Sequence, residues 1–201
     1  MVLAAPLGPA RFAALRGVVW ALCLFPLARL VWLAAFGGLG ANPIEFVSRY
    51  TGTWTLVALV LTLSITPLRQ LTGWVELIRL RRLVGLFAFF YASLHFLNWI
   101  AVDQFFDWPA MLKDIAKRPF ITVGFAAFVL LLPLALTSTD AARRRLKRNW
   151  SRLHTLAYAV PVLGVVHYWW LVKKGVQTPL PLTVAVAIVL GWRLLMWART
   201  R

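Results

Sequence analysis

The stretch FAFFYASLHFLNWI, residues 87–100, is apolar enough to face lipid along almost its whole length, yet it carries His95 at its centre. An ionisable ring at that depth is expensive unless it has a partner, so this histidine marks a functional position. The surrounding chain repeats the apolar pattern. Of 201 residues, 61% are hydrophobic and only 14% charged, beyond the balance of a soluble domain. Apolar blocks stand at 17–36, 51–66, 83–102, 120–137, 153–172 and 179–198, each long enough to cross a bilayer or nearly so. The expected fold is therefore all-α: an integral membrane bundle of six transmembrane helices forming one domain over residues 1–201. The second block is short and extends past Pro67 only with a kink.

A net charge of +16 raises the question of nucleic acid, but the basic residues lie between apolar blocks, where they act as topology signals. The N-terminal segment, the second and fourth connections and the C-terminal end hold fifteen Lys and Arg; the opposite connections hold six. That excess places both termini on the cytoplasmic side of a multi-pass protein, with no nucleic-acid partner. Arg29 falls within the first block and fits neither set. The single cysteine, Cys23, excludes an internal disulfide. No cleavable leader and no GxGxxG or P-loop segment is evident, so no nucleotide domain is expected.

His95, His154 and His167 are the only histidines. At 1.5 Å per helical residue, His95 lies about 18 Å and His167 about 22 Å from the inner boundary, whereas His154 lies only about 3 Å from it. Imidazoles level with each other on two helices suit the axial positions of a haem iron. A bare metal would need three or four ligands, and no Cys, Asp or Glu lies at that depth. Ala88, Ala92 and Gly164 leave room for a flat ring, which Tyr91, Trp99, Tyr168 and Trp170 would wall. His154 either ligates a second, inner haem without a histidine opposite, or touches a flavin or quinone head group. The inner arginines Arg81, Arg82 and Arg152 are placed to meet haem propionates, a flavin phosphate or a quinone oxygen. TSTDAA, residues 137–142, reads as the capped start of a short helix.

The segments GGLGANPIEFVSRYTG (37–52), LSITPLRQL (63–71), RLRRLVGLFAFFYASLH (79–95), KRPFITVGF (117–125), LALTSTDAARRRLKRNWSRLHTLAY (134–158) and VVHYWWLVKK (165–174) resemble, in this order, the MsrQ (YedZ) family. More broadly, they resemble the ferric reductase-like transmembrane group that includes the NADPH oxidase core. The resemblance implies a bacterial inner-membrane electron-transfer subunit with haem b, one or two, and an FMN. Electrons would pass from the quinone pool to a periplasmic molybdopterin reductase, MsrP, which repairs oxidised methionine in periplasmic proteins. The sulfoxide chemistry would belong to that partner. It also implies that His95, His154 and His167 are the haem-associated histidines. The oxidases carry two histidines on the third helix where this chain has one. A transmembrane ferric or other metal reductase is the nearest alternative, and a small transporter with a histidine proton relay is one of another class.

Overall fold

The computed structural model describes residues 7–172 and 179–199, and among them every regular element is helical. Lys173, Lys174 and Arg201, counted in the charge balance, and Gly175 of the fifth connection lie outside the described residues. Five helices are long and apolar enough to cross a membrane. Helix α1 spans Pro9–Ala35, α2 Pro43–Thr72 and α3 Leu77–Leu97, the last continuing as a π-helical turn, Asn98–Asp103. After the short α4, Trp108–Lys117, come α5, Pro119–Leu136, and, near the C-terminus, α9, Leu180–Arg199.

Local chemistry sets these boundaries. Pro9, Pro43 and Pro119 each stand in the first turn of their helices, where a missing N–H costs nothing. Asn42 caps α2: its side-chain oxygen accepts from the Glu45 N–H at 3.2 Å. Gly73, at φ 77°, closes the other end. Asp107 caps α4 through the Ala110 N–H, and Thr139 caps a short α6, Asp140–Leu146, through the Ala142 N–H. The helix start expected at 137–142 is therefore present.

The fifth apolar block is not one helix. It comprises α7, Arg148–Leu153, a 3₁₀ segment, His154–Tyr158, and α8, Ala159–Leu171. Pro161 explains the break, because it cannot donate to a carbonyl one turn earlier but fits the first turn of α8. At 13 residues, α8 is too short to count among the five.

Side chains from other helices bond the backbone beside two interior prolines. One residue after Pro26, the Tyr91 hydroxyl inserts into the α1 ladder, accepting from the Leu27 N–H at 3.2 Å and donating to the Cys23 carbonyl at 2.6 Å. Pro67 leaves the Leu63 carbonyl of α2 without its helical donor, and Arg193 of α9 supplies an N–H at 3.1 Å. Arg193 also donates to the Tyr158 hydroxyl at 2.8 Å and lies over that ring. Arg29 sits over the Tyr50 ring, 5.8 Å from its centroid.

The most extensive packing joins α2 to α3 and α5 to α8. Between these pairs lies a core of Leu56, Leu59, Ala88, Ala92, Ala127, Leu131 and Val160. The outward side is also apolar: Leu22, Phe25 and Trp32 of α1 are each at least 60% exposed. An apolar exterior around an apolar core is the pattern of a chain solvated by lipid.

Candidate functional site

His95 lies near the end of α3 and His167 near the end of α8, and the two rings meet between the helix pairs with centroids 6.1 Å apart. The two histidines expected at one depth are therefore neighbours. The two halves present their rings in the same way. His95 Nδ1 bonds the Ser48 carbonyl of α2 at 2.9 Å, and His167 Nδ1 bonds the Phe120 carbonyl of α5 at 2.6 Å. A carbonyl can only accept, so the ring proton is on Nδ1 in both cases and Nε2 keeps its lone pair. Four residues beyond each carbonyl, on the same face of the helix, is a glycine. A Cβ built on Gly52 would stand 3.3 Å from the His95 ring, and one on Gly124 only 2.7 Å from the His167 ring. The glycines let both imidazoles lie directly against helix backbone.

The two rings border a cavity of about 330 Å³. One end is lined by Leu56, Leu59, Ala127, Leu131 and Val160, and its walls include Phe96, Phe128, Trp99 and Tyr168. The other end, beside α4, carries Glu45, Arg49, Asp103 and Arg118. Ala92 and Gly164 border the cavity as expected, though Gly164 mainly makes room for Leu56. Ala88 is instead packed into the core, Tyr91 is committed to α1, and Trp170 points outward at 56% exposure.

This geometry fits an iron porphyrin. With metal–imidazole bonds of roughly 2 Å and each nitrogen about 1.1 Å from its ring centroid, two imidazoles that would hold one iron have centroids at most about 6.2 Å apart. The spacing found is 6.1 Å, with ring planes at 82°. Carbonyl-bound Nδ1 groups are what orient metal-ligating histidines. Among the described residues no cluster of three His, Cys, Asp or Glu could hold a bare metal ion.

His154 does not join this pair. Its Nε2 lies 3.0 Å from the Thr137 hydroxyl, and its ring stacks on Trp150 at 3.9 Å. The Thr137 hydroxyl already donates to the Pro133 carbonyl, so His154 is the donor to Thr137 and its proton is on Nε2. Arg81, Arg82 and Arg152 do not border the cavity. Arg82 is bound to the Ser138 carbonyl at 2.5 Å and to Asp140 at 3.0 Å. That hydrogen bond and the Arg82 charge hold the Asp140 carboxyl below the ordinary carboxylate range.

Gly52, Gly124 and the carbonyls of Ser48 and Phe120 are absent from the sequence-based set of site residues, as are Arg49 and Arg118. SRYTG and FITVG each end in a glycine four residues after the carbonyl that a histidine uses, a likeness that only the helix pairing makes meaningful.

The ferric reductase like transmembrane component family model matches residues 48–165. The protein-methionine-sulfoxide reductase heme-binding subunit MsrQ of Bordetella pertussis is 50% identical over 200 residues, covering 98% of this chain and 97% of its own. The subunit of the same name from Ralstonia nicotianae is 60% identical over 165 residues, 82% of this chain and 76% of its own. That of Xanthomonas euvesicatoria is 48% identical over 186 residues, 90% of this chain and 85% of its own. No solved structure matches.

Proposed function

Because the chain belongs to the MsrQ family of heme-binding subunits, within the ferric reductase like transmembrane group, we propose that it is the membrane electron-transfer subunit of a methionine sulfoxide reductase, with haem b held by His95 and His167. The observation that carries this is the pair of carbonyl-anchored imidazoles, 6.1 Å apart across one cavity. When bound, the haem supplies one-electron exchange at its iron. The chain's contribution is to fix both rings through Nδ1, leaving each Nε2 free for the iron, and to surround them with apolar and aromatic side chains that exclude water.

In this reading residues 1–201 form one domain that crosses the bacterial inner membrane six times, the sixth crossing supplied by the interrupted α7–α8 segment. Both termini are cytoplasmic. The α4 end then faces the periplasm, where an MsrP-type molybdopterin reductase accepts electrons and reduces methionine sulfoxide in other proteins. The electrons derive from quinone. FMN and quinone belong at the cytoplasmic end, near Arg81 and Arg152, and His154 is the residue there that would support a second haem.

The test is optical. Wild-type protein supplied with haem shows a Soret band; His95→Ala and His167→Ala lose the part due to that pair, and His154→Ala keeps it. Wild-type protein that stays colourless refutes the proposal. The family description also supports a second reading, in which ferric chelates are the acceptor. Reoxidation of reduced protein by ferric chelate alone, with no response to the periplasmic reductase, would select it.

A further inference from the structure

The cavity between His95 and His167 has two unlike ends, and that asymmetry bears on how a porphyrin lies in it. Leu56, Leu59, Leu131 and Val160 close one end without a charged group, while Arg49 and Arg118 stand at the other. A b-type porphyrin is equally unlike at its two edges: one bears methyl and vinyl groups, the other two carboxylates. Burying carboxylates among leucines is far costlier than placing them at guanidinium groups.

We propose that the carboxylate edge of the macrocycle points toward the α4 end of the bundle, held by Arg49 from one half of the site and Arg118 from the other. This rests on the haem reading above and adds an orientation and two binding residues to it. Arg49 precedes Gly52 by three residues and Arg118 precedes Gly124 by six, which sets them about 4.5 and 9 Å along the axis from the level of the imidazoles. Each is steadied by a carboxylate four residues earlier: Arg49 by Glu45 at 2.6 Å, Arg118 by Asp114 at 3.3 Å. Those contacts use Nε and one terminal nitrogen of Arg49, and Nε of Arg118, so terminal N–H donors remain on both forks. Glu45 and Asp103 share the cavity mouth, so it is no general anion funnel. Recognition rests on two forked donors at fixed positions, one for each carboxylate. The inner arginines, displaced from this cavity, are left for other ligands.

The experiment compares wild-type protein with Arg49→Gln, Arg118→Gln and the double variant. Each is loaded with iron protoporphyrin IX or with its dimethyl ester, in which both carboxylates are masked. The readouts are transfer of porphyrin to an excess of apomyoglobin and the midpoint potential. The double variant should release the free-acid haem at least roughly ten-fold faster than wild type, since hydrogen bonds to charged groups contribute on that order. Its potential should also fall, because cations beside the carboxylates favour the reduced iron. The dimethyl ester should leave wild type and variants at equal rates, which also shows that the variants are folded. Unchanged release of free-acid haem overturns the proposal, as does equal acceleration for acid and ester. Failure of the wild type to bind either porphyrin refutes the haem reading itself.

Discussion

Adding one methyl group at Gly124 tests the histidine cradle directly. In Gly124→Ala the new Cβ would lie 2.7 Å from Nδ1 and Cε1 of His167 and 3.2 Å from Cγ. Ordinary contact begins near 3.4 Å, so the ring must retreat by about 0.7 Å. It cannot retreat freely, because its Nδ1 is held to the Phe120 carbonyl of the same helix at 2.6 Å. Alanine favours helix over glycine by about 0.5–1 kcal/mol, so helix stability itself should improve. Against that, overpacking costs about 1–3 kcal/mol. The balance predicts a haem affinity weaker by about 1.3 kcal/mol, or roughly eight-fold, in a protein whose helix content is unchanged. Gly52→Ala is the internal comparison. There the Cβ stands 3.3 Å from the His95 ring, so a tenth of an ångström suffices and the loss should stay under about 0.5 kcal/mol. The assay is haem titration with spectra of the oxidised protein, in which a displaced His167 appears as a shift from low-spin to high-spin iron. Wild-type affinity and spectrum in Gly124→Ala, or equal damage from both alanines, would refute the reasoning.

Three further outcomes are expected. Arg193→Met should lower stability by about 2 kcal/mol by stranding the Leu63 carbonyl, and Pro67→Ala should recover most of that loss by restoring the helical donor; additive effects in a denaturation cycle would contradict it. Tyr91→Phe removes the hydroxyl that bridges Leu27 and Cys23 and should cost about 1–3 kcal/mol, with haem spectra unaffected; an unchanged melting point would disprove it. The Asp140 carboxyl is depressed by Arg82, so its stabilising effect is full above the unfolded carboxylate pKa and fades as pH falls through the lowered folded value. Asp140→Asn should therefore differ from wild type near neutral pH and converge with it in acid, and a gap that persists in acid would count against it.

The histidine pair was legible in the sequence because depth is a one-dimensional quantity: a residue count from a helix boundary fixes it. Its surroundings were not, because Gly52 and Gly124 acquire meaning only once α3 is known to lie on α2 and α8 on α5. Neither pairing leaves a periodicity in the chain. The break in the fifth block was readable in principle from Pro161, but strong apolar character on both sides concealed it. The inner arginines are conspicuous by their number, whereas Arg49 and Arg118, which border the cavity, stand outside the long basic runs. Five of the six apolar blocks appear as long helices, and those boundaries moved mainly where caps and first-turn prolines set them.

Each of the two facing imidazoles belongs to a different half of the molecule, one carried by the α2–α3 hairpin and one clasped by α5 and α8. An iron bound to both would act as mortar between halves inserted at different moments of synthesis. Supply of the prosthetic group would then govern maturation as well as redox competence. In cells starved of porphyrin, the chain should be more open to membrane proteases, and its lifetime would report on how much of the pigment the cell can spare.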